Sequence, residues 1–276
     1  LKEVIQEYIA TEYPGITAHY VLQEVQDGTA GAVKLAQPFI DDEVLVLFVD
    51  TLFDADLSLA TRMSEDWAGV IWAKEVEDYQ RFGVIVTDEE GAMTRIVEKP
   101  KEPISKLANI GLYYIRDHKL LFQGIDSALA SDPGPGGEFF LTDAFQYMVD
   151  QGSKLLTAPV AGWYDCGKPD TLLATNDHLL RTTRGGVAPS VGVEATTLGE
   201  HIRVEDGVML EGSTLGNNVT IEAGARIVNS SLRRCMIGPG AVIESSVLRD
   251  SIVGGHSSIR GFDGSLSVAD HSVVRG

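Results

Sequence analysis

From residue 198 onward an aliphatic side chain returns every five or six positions, at Leu198, Val204, Leu210, Leu215, Ile221, Ile227, Leu232, Ile237, Ile243, Leu248, Ile252 and Ile259. Small residues, Gly and Asn fill the gaps, as in IEAGAR and IGPGAV. A hexapeptide period is the mark of a parallel β-helix, in which each short strand is one side of a triangular coil and the aliphatic residue points inward. An ordinary β-sandwich with regular turns would not hold a dozen aliphatic positions this close to one register. The closing stretch FDGSLSVADHSVVRG breaks the period and is expected to cap or overhang the last coil.

The preceding residues follow a different rule. Apolar runs alternate with amphipathic segments, the pattern of an α/β domain. Strands are expected at Thr17–Leu22, Val44–Val49, Ala68–Ala73, Gly83–Thr87, Met93–Glu98, Asn109–Ile115 and Leu155–Pro159. Helices are expected at Ala30–Gln37, Ala55–Ser64, His118–Ala130, Leu141–Gln151 and Pro169–Thr182, with a hairpin turn at Asp88–Gly91. The first residues read as a short amphipathic helix with Val4, Ile5, Tyr8 and Ile9 on one face. The run VLVLFV before Asp50 suits a strand buried on both faces, as in a parallel sheet covered by helices. Thr182–Pro189, TTRGGVAP, is a linker by composition. The expected organisation is a domain over residues 1–182 and a β-helix over 190–276.

Composition excludes some roles. A formal net charge of −18 argues against nucleic acid or an anionic membrane as the main partner. Cys166 and Cys235 are the only cysteines, too few for a disulfide framework. With no CxxC either, a reducing cytoplasm is the expected location; no apolar run has membrane-spanning length, and the first residues do not read as a signal peptide.

Several stretches carry groups suited to chemistry, each with a plainer structural alternative. Asp50 ends its strand, and ligands in open α/β sheets sit outside the carboxyl ends of strands; it is equally a turn or cap aspartate. QEVQDGTAGA (23–32) joins a strand to a helix. Its glycines allow close approach of a flat ligand, and Gln23 offers a donor and an acceptor for a base edge. Thr29 caps the helix in the plainer reading. In Glu98-Lys99-Pro100, Lys99 suits a phosphate and Glu98 suits sugar hydroxyls, or the two form a surface ion pair. Asn109-Ile110-Gly111 opens a strand, and Glu138 lies in a Gly/Pro-rich loop before a helix that Thr142 or Asp143 caps. Asp165, in WYDCG, is a second carboxylate after an apolar segment. Asp50 and Asp165 together suit one hard cation such as magnesium, which takes few protein carboxylates and completes its shell with phosphate oxygens and water.

In this order, QEVQDGTAGA, the strand ending in Asp50, FGVIV, VEKP, ANIGLYYI, GEFFLTD, WYDCGKPDTLLATN and the hexapeptides resemble the sugar-1-phosphate nucleotidyltransferases. The match is to the glucose-1-phosphate thymidylyltransferase or uridylyltransferase type with a C-terminal left-handed β-helix. The resemblance implies a Rossmann-like nucleotidyltransferase domain and Mg²⁺-dependent attack of a sugar phosphate oxygen on the α-phosphate of dTTP or UTP, releasing pyrophosphate. It implies that Gln23, Gly28 and Thr29 serve the nucleotide and that Asp50 and Asp165 hold the metal. Gly83, Glu98, Lys99, Asn109, Glu138 and Thr142 would line the sugar phosphate pocket, with Lys99 on the phosphate.

Two features depart from that pattern. No GGxGTRxxP-type loop, the family's triphosphate clamp, occurs in the sequence. Leu1 enters at the family's third structural unit, so about 60 residues are expected to be missing before it. Little or no turnover is therefore expected of the chain as it stands. Val49 also occupies a position where the family usually has Gly. The alternatives are a non-catalytic regulatory or binding homologue, and an acyltransferase carried by the β-helix with His201, His256 and His271 as candidate bases. A homo-oligomer is expected, because β-helices have open ends and flat faces.

Overall fold

The computed structural model describes residues 2–183 and 185–276. The chain forms two compact units. One holds residues up to Val49 and Phe53–Trp163; the other holds Asp50–Leu52 and Tyr164–Gly276.

In chain order the first part contains α1 (Lys2–Glu12), α2 (Thr29–Lys34), β1 (Val44–Leu47), β2 (Thr51–Asp54), α3 (Leu59–Arg62), β3 (Gly69–Glu75), β4 (Gly83–Thr87) and β5 (Met93–Glu98). It continues with β6 (Leu107–Ile115), α4 (His118–Leu129), α5 (Leu141–Asp150), β7 (Leu155–Pro159), β8 (Gly162–Asp165) and α6 (Pro169–Thr182). The sheet runs β5-β4-β6-β3-β7, with β1 also on β6. It is mixed: β3 and β7 are parallel, and the β1/β6, β3/β6, β4/β5 and β4/β6 pairs are antiparallel. The turn at Asp88–Gly91 joins the antiparallel β4 and β5 as expected.

Each face of this sheet has its own apolar layer. Ile71, Ile85, Tyr113 and Ile115 pack with Leu121, Phe122 and Ile125 of α4 and Leu141, Phe145 and Met148 of α5. The three-and-four spacing of those helical residues makes the stripe that faces the sheet. Asp117 caps α4 by accepting a hydrogen bond from Leu120 N at 2.9 Å. On the other face Val70, Trp72, Ile110, Leu112 and Ala158 pack with Phe53, Leu59 and Met63.

The doubly buried strand is therefore β3, whose first five residues are all buried, and not β1. β1 alternates half-buried and exposed residues and pairs antiparallel with β6. Val44, Val46 and Phe48 pack inward, while Leu45 and Leu47 face outward at 52% and 47% exposure. The expected parallel, two-face burial of this run is corrected accordingly: with one face covered, period-two alternation replaces continuous burial. One other expectation fails for a related reason. Thr17–Leu22 forms no strand, because no neighbouring strand offers it a ladder, and Tyr20, Val21 and Leu22 are exposed. α1 forms, but Val4, Ile5 and Tyr8 on its apolar face are exposed and none of its residues is buried. The expected helix at Ala55–Ser64 shortens to α3, and the β2/β8 ribbon was not anticipated.

The second unit is a parallel β-solenoid consistent with a left-handed β-helix. One of its sides stacks six strands from six turns: Gly192–Glu194, Met209–Glu211, Arg226–Val228, Val242–Glu244, Ser258–Arg260 and Val273–Arg275. The interior is the aliphatic column read from the period: Val204, Leu210, Leu215, Ile221, Ile227, Leu232, Ile237, Ile243, Leu248 and Ile259 are all buried. Each such side chain contributes roughly 1.5–3 kcal/mol by leaving water. Between sides the chain turns through left-handed conformations, recurring at Gly212, Asn229, Ser245 and Gly261 on one corner and Gly207, Gly224, Gly240, His256 and His271 on another.

Three details differ from expectation. Leu198, in the first turn, stays 38% exposed. Val253 and not Ile252 points inward. The closing stretch does not merely cap the coil: Asp263–Gly264, Ser267–Val268 and Val273–Arg275 pair in parallel with the turn before. Its period is hidden because Gly264 takes the register of Leu248. A Cβ on Gly264 would lie 3.2 Å from the Phe262 ring, which packs on the core in its place. In the expected linker, Gly186–Val187 already pairs with Arg203–Val204, and Arg184 lies outside the described residues.

Candidate functional site

Within the first unit, three of the residues singled out for the sugar phosphate meet around a fourth, Gly83. A Cβ there would clash with the Asn109 amide and would lie 2.8 Å from both Glu98 Oε2 and Thr142 Cγ2. The point is closely packed, and only glycine fits there. Gly83 starts β4 opposite Glu98 at the end of β5, so antiparallel register brings them together. Asn109 on β6 donates from Nδ2 to the Gly83 carbonyl at 2.9 Å. Its Oδ1 accepts from the Tyr113 hydroxyl, so both ends of the amide are fixed. Tyr113 was not anticipated, although it lies four residues on, on the same face of the same strand. Burial first, and then the charge of Glu98, hold its phenol far above the ordinary range.

Thr142, in the first turn of α5, donates to Glu98 Oε2 at 3.2 Å. Burial raises the Glu98 pKa, opposed by the Lys99 charge and the Thr142 hydrogen bond. Burial also raises Asp143. Lys99 has a left-handed backbone (φ 45°), lies 4.0 Å from Glu138 Oε2 and stands 4.8 Å over the Phe140 ring. The ammonium thus sits over an aromatic face with Glu138 beside it and Glu98 within electrostatic reach.

The loop from Gln23 is joined to the segment before α5. Phe139 N donates to the Asp27 carbonyl at 2.7 Å and Ala30 N to the Phe139 carbonyl at 3.0 Å. A Cβ on Gly28 would lie 2.7 Å from Phe139 N, so Gly28 makes room for the protein's own backbone. Thr29 Oγ1 accepts from Leu141 N at 2.9 Å, so it caps α5 rather than its own helix. Gln23 donates to Asp27 Oδ1 at 2.8 Å and to the Gly28 carbonyl at 3.1 Å.

The second unit holds the aspartate pair. Cys166 N donates to the Asp50 carbonyl at 2.8 Å, which brings the two segments side by side. A Cβ on Gly167 would lie 3.1 Å from Asp165 Oδ1 and 3.4 Å from Asp50 Oδ2. The two carboxylates thus face one small space that a glycine leaves open. Gly167 N donates to Asp165 Oδ1 at 2.9 Å. Among the described residues no group of three or more His, Cys, Asp or Glu forms a metal cluster. Two carboxylates close to one point are the kind of ligand set taken by a hard cation that keeps most of its shell for water and phosphate. Val49, the neighbour expected to crowd the nucleotide, is 97% exposed.

The three histidines do not gather. His201 sits at a different corner from His256 and His271, all three have left-handed backbones, and the last two stack on each other with centroids 5.3 Å apart.

A mixed α/β core with a polar cluster packed around Gly83 is thus followed by a parallel solenoid. Residues 1–182 match the family model described as "Nucleotidyl transferase", and the chain belongs to that family. It is 33% identical over 269 residues to the "Bifunctional protein GlmU" of Methanococcus vannielii, covering 94% of this chain and 59% of that protein. It is 31% identical over 188 residues to the "Bifunctional protein GlmU" of Methanococcus aeolicus, covering 68% and 44%. It is 29% identical over 174 residues to the "UTP--glucose-1-phosphate uridylyltransferase AglF" of Haloferax volcanii, covering 61% and 70%. The chain spans about half the length of the two GlmU relatives. Among the described residues no helix is long and apolar enough to cross a membrane.

Proposed function

We propose that this chain binds a sugar 1-phosphate, glucose 1-phosphate being the first candidate, for transfer of a nucleotidyl group from dTTP or UTP with release of pyrophosphate. The observation that carries this reading is the convergence of Glu98, Asn109 and Thr142 on Gly83, with Lys99 next in sequence to Glu98. Glu98 accepts from sugar hydroxyls, and the Asn109 amide, fixed at both ends, sets the shape of the pocket floor. Lys99 neutralises the sugar phosphate, with Glu138 beside it. Gln23, Gly28 and Thr29 serve the nucleotide side, the last two by shaping the loop and anchoring it to α5. Asp50 and Asp165 fit Mg²⁺, which when bound supplies charge neutralisation for the phosphates. The protein's share of the chemistry is positioning and electrostatic compensation.

The test is calorimetric titration with glucose 1-phosphate, glucose 6-phosphate and glucosamine 1-phosphate, with pyrophosphate release measured in parallel for dTTP and UTP. The reading expects saturable binding of a 1-phosphate, lost in Lys99→Ala, with little pyrophosphate. Equal or absent binding of all three sugars would overturn the pocket assignment. Robust pyrophosphate release would overturn the expectation of weak turnover. Oligomeric state is part of the same proposal and is read by light scattering.

A further inference from the structure

The aspartate pair belongs to the same compact unit as the solenoid. A continuous set of contacts joins them. The carbonyl of Asp165 accepts from Thr175 Oγ1 of α6 at 3.3 Å, and the Tyr164 ring stacks on His178 of α6 at 4.0 Å and 23°. Cys166 N passes this restraint to Asp50. The next two residues of α6 face the solenoid. Asn176 accepts from Thr220 Oγ1 at 2.7 Å, and Asp177 Oδ2 accepts from Arg234 Nε at 2.6 Å. Arg234 also reaches Asp250, one turn further along, at 2.9 Å.

This seam is polar where an apolar one would have been cheaper. Among the described residues Asn176 Nδ2, Asp177 Oδ1 and Asn218 Oδ1 are buried without a hydrogen-bond partner. Arg234 holds a left-handed backbone (φ 51°) at a corner where glycine or asparagine fits with less strain. Arginine's planar fork can join Asp177 to Asp250 with directed bonds that a hydrophobic contact lacks. Costly directional contacts suit an element whose orientation must be fixed.

We infer that Arg234 is a positioning residue: by clamping α6 to the solenoid it fixes Asp165, and through it Asp50, in the geometry that receives a divalent cation. This rests on the reading of the aspartate pair as a metal site. The solenoid is then a bracket for the metal carboxylates as well as a stack of coils.

The experiment is Mn²⁺ titration of the 276-residue chain, with free ion read by electron paramagnetic resonance and folding followed by circular dichroism. Asp50→Asn and Asp165→Asn lose binding. Arg234→Met weakens it about tenfold, the lower end of what losing a supporting partner costs a metal site. Arg234→Lys, which keeps the charge but not the fork, falls between. Arg249→Met, which removes a comparable exposed pair with Asp263, leaves binding unchanged. If Arg234→Met does not fold, Thr220→Val weakens binding in the same direction. A folded Arg234→Met, or a folded Thr220→Val in its place, that binds Mn²⁺ as tightly as the parent overturns the clamp while leaving the aspartate pair standing. A parent chain that does not bind Mn²⁺, or binds it regardless of Asp50→Asn, overturns the metal site and the clamp with it.

Discussion

The two units solve the problem of burial in opposite ways. The sheet unit is held by contacts that occur once: Phe145 on Tyr113, Asn109 between Gly83 and Tyr113, and Thr29 on the end of α5. The solenoid repeats one contact, with each aliphatic residue stacked on its equivalent in the adjacent turns. Single-use contacts make a particular pocket and depend on one another. Repeated contacts make a rigid rod whose parts answer only to their neighbours.

The largest effects separate the two schemes. Phe145→Ala and Ile227→Ala each empty a fully buried site. They cost about 3–5 and about 2–5 kcal/mol respectively. Hydrogen exchange tells them apart: Phe145→Ala speeds exchange throughout β3, β6, α4 and α5, whereas Ile227→Ala speeds it only in the turns beside residue 227. Solenoid-wide acceleration from Ile227→Ala would break the comparison.

A glycine pair comes next. Gly83→Ala drives a methyl group into Asn109, Glu98 and Thr142, costs about 1–3 kcal/mol by overpacking and removes sugar phosphate binding. Gly224→Ala meets open space, so only its positive φ (70°) is penalised, by about 1 kcal/mol. Thermal melts with glucose 1-phosphate titrations measure both. Gly83→Ala that still binds the sugar phosphate would mean the pocket lies elsewhere.

The solenoid was the more legible unit because its signal is summed over turns. One misplaced residue does not hide a dozen in register. Errors arose where a turn departs from its neighbours, as at Gly264, whose inward place is filled by Phe262 from two residues away. In the sheet unit most strand positions were legible, Thr17–Leu22, β2 and β8 excepted, but burial was not. Val44–Val49 and β3 are both rich in Val and Ile or Leu, and only β3 is covered on both faces. Hydrophobicity reports what a strand can bury, while the neighbours that cover it come from distant sequence. The same limit explains Thr17–Leu22, a β-prone stretch that pairs with no strand among the described residues. For the site, residue types suited to a phosphate and a sugar were visible in VEKP and ANIG. The role of Thr29, on a helix that starts at residue 141, rests on a contact spanning 112 positions and left no local trace.

A smaller test concerns register within the solenoid. Val253 is 1% exposed and in the core, whereas its neighbour Ile252 is only half-buried and outside it. Val253→Ala is expected to lower stability by about 1–2.5 kcal/mol and Ile252→Ala by less than about 1 kcal/mol. Urea unfolding compares them. The reverse order would shift the inward register by one residue and with it every outward side chain of that strand.

The smallest effects lie in two buried-side carboxyls, Glu98 in the pocket and Glu222 in the solenoid. Burial raises both, and Glu205 adds to the rise at Glu222. A carboxyl raised in the fold favours the folded state fully only below the unfolded value of about 4.3, and that advantage is lost as pH rises through the higher folded value. Glu98→Gln therefore unfolds at a higher temperature than the parent at pH 8, and the gap closes near pH 4. Glu222→Gln shows the same sign with a smaller gap, because water screens its more exposed carboxyl. The two differ in function: Glu98→Gln weakens glucose 1-phosphate binding and Glu222→Gln leaves it unchanged. A lower midpoint for Glu98→Gln at pH 8 would show that its bond from Thr142 and the charge of Lys99 outweigh burial. The pocket carboxylate would then stabilise the sheet unit, as the single-use contacts around it do.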